Sequence, residues 1–386
     1  MHQRPHLEGP IGWHRCQELG GGRSVIDRHR VRNLTSAAVL ILAAACSSSS
    51  GYVTSADPAD APAYAAPPRV PDVTKPTVTP RKKLHKGRVR LAFAGDVHFQ
   101  GASASALGGD IGSAGKILSK ADLAVVNLET AITSGGTAEP KQYTFRSPSS
   151  GLTALRRNGV DVVTVANNHG MDYGRTGLED TLKAGKRSGM PMIGAGLNAD
   201  QAFTPYRRTI HGVRLSVFGA TDVLDSFATS SWPATTSRPG LASSKDPARL
   251  LRAVREASLT DVVVVVLHWG VERQSCPSAR QRELAASLTS AGASVVVGSH
   301  AHVLEPAVRS GRTAVHYGLG NFVFYARGGA GAETGVYNVV VDRGGVVSTS
   351  WVPARINGGR PELLRGSVAE AAVAAQKALT SRCGVI

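Results

Sequence analysis

Short, almost wholly apolar runs rich in valine recur along this sequence from Val89 onward, and stretches with helical periodicity separate them. Runs of β-branched residues without polar alternation are typical of strands that are covered on both faces. Because such runs alternate with helical stretches, the chain is predicted to form an α/β domain. Strands are predicted over residues 90–95, 122–127, 160–166, 215–218, 262–267, 294–297 and 315–317, and helices over 174–187 and 277–291.

Polar residues follow five of these predicted strands at the point where each strand ends. In open α/β sheets, functional sites lie outside the carboxyl ends of the strands, so the five clusters are expected to meet in one place. Histidine together with carboxylates suits zinc, manganese or iron. The sequence therefore predicts a site for divalent transition metals, and its candidate ligands are Asp96, His98, Glu129, Asn168, His268, His300 and His302, with His169 beside them.

Each cluster taken alone has a plainer explanation. A histidine at a strand end is usually a satisfied polar residue, and an aspartate beside glycine usually makes a turn. Five clusters in the same strand-end position favour the metal site instead. Gly95 and Gly298, beside two of the clusters, are expected to allow tight turns close to an ion. His211 and His316 lie outside the clusters, and no role is predicted for them.

The order of these motifs resembles the calcineurin-like metallophosphoesterase superfamily. In detail it is most similar to the CapA-type proteins of poly-γ-glutamate capsule synthesis. The similarity spans about residues 89–342. Its hallmarks are Asn127-Leu-Glu-Thr130, Ala166-Asn-Asn-His169 with Asp172-Tyr-Gly174, His268-Trp-Gly270 with Glu272, Gly298-Ser-His-Ala-His-Val303 followed by Pro306, and Gly318-Leu-Gly-Asn-Phe-Val-Phe324.

The resemblance implies a fold, a ligand set and an activity. The fold would be a single-domain, four-layer α/β/β/α sandwich around two mixed sheets. Two divalent metal ions (manganese, zinc or iron) would be bound, and Glu129 would bridge them. His169 would act as general acid or would position the substrate. One ion would be held by Asp96, His98 and His302, and the other by Asn168, His268 and His300.

Three residues depart from the patterns that the resemblance leads one to expect. The bridging residue of the superfamily is aspartate, whereas Glu129 is one methylene longer. The catalytic histidine there is followed at once by an acidic residue, whereas the nearest one here is Asp172, three positions after His169, and Asp172 is the candidate to orient that imidazole. Glu305 stands where CapA-type proteins often have glutamine.

Two classes of function fit these residues. The first is a metal-dependent hydrolase of the phosphoesterase type, acting at phosphorus or, in a related version, on an amide of a polyglutamate chain. The second is a non-catalytic, metal-dependent factor that binds an anionic polymer during its assembly or export. Other capsule or polymer assembly proteins are expected as further partners in either case.

The N-terminal region predicts export. Residues 34–45 form an apolar run after several arginines and end in small residues at Cys46. The run is too short to span a membrane, which takes roughly 20 apolar residues, and it matches a secretory signal. Because Cys46 follows small residues, the segment also resembles a bacterial lipobox, which predicts a lipid anchor on Cys46 at the extracytoplasmic side. The alternative is a plain signal peptide and a secreted protein.

The remaining organisation follows from composition. Residues 1–46 form the N-terminal extension and signal, and residues 47–87 are rich in Ser, Ala and Pro and are predicted to be a disordered linker. The metallophosphoesterase-like domain is expected over 88–345. Residues 346–386 are expected to add a strand over 347–352 and a helix over 368–381 that pack on it. Cys276 and Cys383 could form a disulfide or stay unpaired.

The charge of the chain bears on its partners. The formal net charge is +16, and it is dispersed along the sequence rather than gathered in long blocks. Dispersed positive charge suits an anionic surface or an anionic polymer. The signatures of the familiar nucleic-acid modules are missing, so nucleic acid is not expected as a partner.

Overall fold

The computed structural model describes residues 87–385. Cys46, the apolar run before it and the predicted linker up to residue 86 lie outside this part of the chain. The strands are β1 (Val89–Val97), β2 (Leu123–Leu128), β3 (Ala131–Ile132), β4 (Arg146–Ser147), β5 (Val162–Thr164), β6 (Met192–Ile193), β7 (Ala195–Gly196), β8 (Tyr206–Ile210), β9 (Val213–Thr221), β10 (Gly240–Leu241), β11 (Val262–His268), β12 (Ala293–Ser299), β13 (Ala307–Ser310), β14 (Thr313–His316), β15 (Asn321–Val323), β16 (Glu333–Asp342), β17 (Gly345–Asn357) and β18 (Arg360–Leu363). The helices are α1 (Gly115–Leu118), α2 (Ser150–Arg157), α3 (Gly174–Ser188), α4 (Ala199–Ala202), α5 (Ala248–Ser258), α6 (Ala279–Ser290) and α7 (Gly366–Arg382).

Two mixed sheets form the centre of the fold. The first has the strand order β18-β17-β16-β1-β2-β5-β6, and β15 also pairs with β1. The second has the order β13-β14-β12-β11-β9-β8. Strands β1, β2, β5 and β6 are parallel, as are β9, β11, β12 and β14, so the carboxyl ends within each set lie at one edge of its sheet.

Three apolar cores divide the molecule into layers. Between the sheets, side chains such as Phe93 and Val125 of the first sheet pack with Val264 of the second. The outer face of the first sheet packs on α1, α2 and α3, and the outer face of the second packs on α5 and α6. Because both faces of each sheet are covered, the central strands are apolar throughout. The predicted four-layer α/β/β/α sandwich is confirmed.

All the predicted strands and helices are present, with ends that differ by a few residues. The largest differences are in β17 and β9, which are longer than predicted, and in β5, which is shorter. Strand β16 is not among the predicted strands, because its apolar residues are interrupted by Gly335 and Asn338. The strand and helix predicted near the C-terminus lie within β17 and α7. None of the helices in residues 87–385 is long and apolar enough to cross a membrane.

A disulfide and hydrogen bonds attach helix α7 to the loops around the second sheet. Cys276 and Cys383, whose pairing the sequence left open, form a disulfide that closes a loop of 107 residues. The Gln376 side chain donates a hydrogen bond to the carbonyl oxygen of Glu305 at 2.8 Å. The C-terminal helix is therefore an integral part of the packed domain.

The side chain of Glu305 is buried, and its burial is expected to make the stability of the fold depend on pH. Its Oε2 accepts a hydrogen bond from Gln281 Nε2 at 2.9 Å, while Oε1 has no hydrogen-bond partner among the described residues. Burial raises the pKa of Glu305 to about 8. Because the folded state then holds a proton that the unfolded state releases, stability is expected to fall as the pH rises from about 4.5, the ordinary value, to about 8.

Replacing Glu305 with glutamine removes this titration while keeping the shape of the side chain. We expect E305Q to unfold like the wild type at pH 4 and to be more stable by a few kcal/mol at pH 9, since each unit of pKa shift is worth about 1.4 kcal/mol. Chemical denaturation at both pH values measures the difference. The control E283Q changes an exposed glutamate of α6 and should leave the pH dependence intact. Equal pH dependence in E305Q and wild type would show that Glu305 is not protonated in the fold.

Candidate metal centre

The register of the strands brings the predicted ligands together. Asp96 on β1 lies opposite Asn127 on β2, and His268 at the end of β11 lies opposite Ser299 at the end of β12. The segments after β2, β5 and β12 carry the remaining predicted ligands to the same edge. All seven are at most partly exposed, and Asp96, His98, Glu129 and His268 are fully buried.

Gly95 and Gly298 serve the site for a different reason from the one expected. Neither has a positive φ, so neither makes a left-handed turn. A Cβ atom on Gly95 would lie 1.8 Å from the carbonyl oxygen of Gly320, and one on Gly298 would lie 2.0 Å from Trp269 Nε1. Glycine is needed because a neighbouring segment passes too close for any side chain.

Glu129 is the clearest sign that a cation belongs here. Its side chain is fully buried, and within residues 87–385 neither carboxylate oxygen has a hydrogen-bond partner. Its Oε1 lies 3.6 Å from His268 Nε2, 3.8 Å from His302 Nε2 and 3.9 Å from His169 Nε2. Burial, followed by the nearby Asp96 carboxylate, raises the pKa of Glu129 well above its ordinary value. A buried carboxylate without hydrogen bonds is costly unless it is paired or coordinates a metal.

Two histidines indicate a cation site for the same reason as Glu129. His98 Nε2 and His300 Nδ1 are buried and have no hydrogen-bond partner in the described part of the chain. Burial lowers the pKa of each to about 3, so both imidazoles are neutral near pH 7. Neutral imidazole is the form that binds a metal. Ser103 Oγ lies 3.1 Å from His98 Nδ1 and fixes that ring, which leaves Nε2 directed at the site.

Other predicted ligands are held by neighbours of the kind that orient metal ligands. Asp96 Oδ1 accepts a hydrogen bond from Asn127 Nδ2 at 2.8 Å. His302 Nδ1 lies 2.8 Å from Asn321 Oδ1, so its Nε2 faces Glu129. His268 Nε2 and Asn168 Oδ1, both assigned to one ion, lie 2.7 Å apart.

The ligand atoms form two overlapping groups, each within 4.8 Å: Glu129 with His300 and His302, and Asp96 with Glu129 and His268. Glu129 is common to both groups, as a bridging ligand would be. The groups divide the other side chains differently from the ligand sets that the resemblance implies. These side chains could bind a metal ion. The presence of two ions, and the assignment of the side chains to one or the other, stay predictions.

The backbone of the loop after β12 is strained. His300 has a φ of 96° and His302 a φ of 56°, both in the left-handed region. Residues other than glycine rarely adopt this conformation, and it recurs at functional sites where the surroundings enforce it. The strain places both imidazoles on the same side as Glu129.

His169 stands at the rim of the site with a carboxylate behind it. Its Nδ1 lies 2.6 Å from Asp172 Oδ2, so its Nε2 is the nitrogen that faces Glu129. Phe145 stacks on the His169 ring with centroids 4.2 Å apart, and its backbone N–H donates to Asp172 Oδ2 at 2.6 Å. Asp172 takes the orienting position expected of it, although it comes three residues after the histidine.

Sequence reasoning missed three residues around this site. Asn127 and Asn321 stand at strand positions next to the predicted ligands, so their motifs contained the signal. Lys141 lies in the loop between β3 and β4, where the sequence has no apolar periodicity. Its Nζ is 2.9 Å from Asp172 Oδ1 and 3.0 Å from Asp225 Oδ2, and it also donates to the carbonyl oxygen of Asn168. With three acceptors around one ammonium group, Lys141 positions Asp172.

The four-layer sandwich and the converging histidine and carboxylate side chains define a metallophosphoesterase-like protein. The family described as "Bacterial capsule synthesis protein PGA_cap" matches residues 90–326. The chain belongs to this family, and the predicted resemblance is confirmed.

Individual relatives agree with this assignment. The chain is 35% identical to the PGA biosynthesis protein CapA of Bacillus subtilis (strain 168) over 186 residues, 48% of each chain. It is 37% identical to the capsule biosynthesis protein CapA of Bacillus anthracis over 178 residues, 45% of this chain and 42% of that one. A probable polyglutamine synthesis accessory protein of Mycobacterium tuberculosis is 28% identical over 262 residues, 64% of this chain and 68% of that one. The chain thus matches about half the length of the two CapA proteins.

Proposed function

We propose that this protein is an exported factor of poly-γ-glutamate capsule synthesis that hydrolyses a phosphoester-type bond at a two-metal centre. The observation that carries the proposal is Glu129, a fully buried carboxylate without hydrogen bonds that faces three imidazole nitrogens. The class of substrate rests on the family and on the names of the relatives, two of which refer to capsule or PGA biosynthesis.

The side chains of the site divide the chemical work. Two divalent ions, held by the seven predicted ligands, would activate a water nucleophile and stabilise the charge that develops on the phosphoryl oxygens. His169 donates a proton from Nε2 to the leaving oxygen, or a hydrogen bond to the phosphoryl group. Asp172 keeps the proton of Nδ1 in place, and Phe145 holds the plane of the ring. Burial lowers the pKa of His169, and the hydrogen bond to Asp172 opposes that effect.

Turnover of a simple phosphodiester tests the proposal. The purified chain, supplied in turn with manganese, zinc and iron, is expected to hydrolyse bis(p-nitrophenyl) phosphate with at least one metal. A chelator should abolish the reaction, and the metal should restore it. If the metal-loaded chain hydrolyses no phosphoester probe but binds polyglutamate only when metal is present, the protein is a non-catalytic polymer-binding factor.

Export and a lipid anchor on Cys46 are part of the proposal. The Cys276–Cys383 disulfide supports it, because such bonds persist in oxidising compartments. In a bacterial host we expect the wild type to incorporate a labelled fatty acid and to sediment with membranes. Cys46→Ser should lose the label and should be released from the membranes at high salt, since a lipidated cysteine with several chains is what anchors stably. Cys16→Ser is the matched control and should keep both the label and the membrane attachment. Labelling that survives in Cys46→Ser would rule out this anchor.

A further inference from the structure

The end of the domain opposite the metal centre is formed by strand starts and by the turns that connect them. The parallel strands begin there, at Val89, Val213 and Val262 among others. Hydrogen bonds join their turns into one surface. His211 Nδ1 lies 2.9 Å from the carbonyl oxygen of Arg88, and Arg343 Nε donates to the carbonyl of Gly212 at 3.2 Å. Arg312 Nε donates to the carbonyl of Gly344 at 3.1 Å, which brings in the β13–β14 turn.

This surface is dense in arginine, and we call it the arginine face. Its six arginines are exposed, and they are Arg88, Arg207, Arg208, Arg214, Arg312 and Arg343. Three carboxylates, those of Asp161, Asp261 and Asp342, pair with four of the six. The arginine face therefore keeps a positive charge.

The topology adds further positive charge at the same end. In a β-α-β arrangement with parallel strands, a helix that precedes a strand ends where that strand begins. The last turns of α2, α3 and α5 hold basic residues, among them Arg157, Arg187 and Arg255. Basic residues at helix ends offset the helix dipole and need no partner to explain them. That reason does not apply to the arginines on turns and strands.

The arginine face contains two grooves and an exposed leucine. One groove of about 320 Å³ is lined by Arg214 and Arg343, and another of about 350 Å³ by Arg207, Arg208 and Arg214. Both grooves are lined by Thr260, and the adjacent Leu259 is 81% exposed. Arginine presents a planar fork of donors that matches phosphate. An exposed apolar side chain among cations is typical of surfaces that contact a lipid interface.

We infer that the arginine face docks on an anionic phospholipid surface, with lipid phosphates in the two grooves and the metal centre directed away from the membrane. The inference rests on the proposed export to the membrane. The described part of the chain begins at this end of the domain, because β1 starts at Val89, next to Arg88 of the arginine face. Cys46 and Gly87 are separated by up to about 140 Å of chain if it is extended, so a lipid anchor alone would not orient the domain.

Docking would also fix the distance between the metal centre and the membrane. Strand β1 is nine residues long and leads from the arginine face to Asp96, a distance of about 25 Å. With the arginine face on the lipid, the metal centre would stand that far above the headgroups, open to a polymer outside the cell.

Vesicle binding tests the inference without using turnover or an acyl chain. The full chain carrying Cys46→Ser is mixed with vesicles of phosphatidylcholine alone or with 30 mol% phosphatidylglycerol, and co-sedimentation is measured. We expect binding only to the anionic vesicles, weakening as salt rises. Adding the triple change Arg88→Gln, Arg208→Gln and Arg343→Gln should weaken it by roughly 100-fold, about fivefold for each residue.

The control removes the same charge at the metal-centre end, with Arg175→Gln, Arg273→Gln and Arg327→Gln. This variant should bind anionic vesicles nearly as the parent does, and thermal unfolding checks that both variants are folded. Equal binding by the two variants, or no preference of the parent for anionic lipid, would overturn the inference. A third outcome would also overturn it: the parent binds soluble polyglutamate, the arginine-face variant does not, and neither protein binds vesicles. The arginine face would then recognise the polymer rather than lipid. None of these outcomes depends on whether the metal centre hydrolyses a phosphoester.

Discussion

His300→Ala is expected to remove bound metal and activity together. His300 is buried, its Nδ1 has no hydrogen-bond partner among residues 87–385, and its ring lies 4.7 Å from that of His268. Changing a residue that merely orients a metal ligand already costs roughly 10–100-fold in affinity or activity, and losing a ligand should cost more. Metal analysis after dialysis, together with phosphodiester turnover, measures both effects.

The matched control for this variant is His211→Ala. His211 is exposed and lies on the β8–β9 turn at the opposite end of the domain, so its removal should change neither metal content nor turnover. If His300→Ala keeps its full metal content and its turnover, His300 is not a ligand, and the predicted site would have to be redrawn around Glu129.

His169→Ala should lower turnover without lowering the metal content, which distinguishes a catalytic residue from a metal ligand. His169 is positioned by Asp172 and Phe145 and directs Nε2 towards the site from its rim. The variant should therefore keep the metal content of the wild type, while kcat falls about 10²–10⁴-fold, the usual scale for a general acid. KM should change far less, because a group that acts in the transition state affects kcat more than binding.

Two further variants are expected to lower kcat in the same way but by a smaller factor. Asp172→Asn should give a milder loss of kcat than His169→Ala, because the imidazole remains but is held less firmly. Lys141→Met should also be milder, and it should add little when combined with Asp172→Asn, since Lys141 acts through Asp172. If His169→Ala supports full turnover and the cellular role while His300→Ala does not, the metals serve binding or structure, and the hydrolytic proposal would be withdrawn.

The strands that bring the candidate ligands together could be predicted from the sequence for a physical reason. A strand such as β11 (Val262–His268) is buried on both faces, so its apolar run is long and unmistakable, and the polar residue that ends it marks the functional edge of the sheet. Each predicted ligand is attached to such a strand. The two-sheet sandwich, in contrast, was predicted only from the resemblance, because apolar runs do not reveal how strands divide between sheets.

The parts that the sequence did not predict lie where no periodicity exists. Lys141 belongs to a loop whose residues show neither helical nor strand alternation, and only the fold brings it to Asp172. The division of ligands between two ions depends on side-chain distances of a few ångströms, which motif order does not contain. The disulfide between Cys276 and Cys383 depends on where α7 packs, and the spacing of the cysteines does not determine that.

The metal content of the purified wild-type chain tests the central claim most directly. After growth with manganese, zinc and iron supplied, elemental analysis should find close to two transition-metal ions per chain, and Glu129→Ala should lose most of both because it removes the shared ligand. Metal-stripped protein should regain two ions, with an affinity that falls as the pH is lowered, since a proton on Glu129 competes with the metal. A folded chain that contains no transition metal and cannot be reconstituted with any of the three would contradict the metal centre.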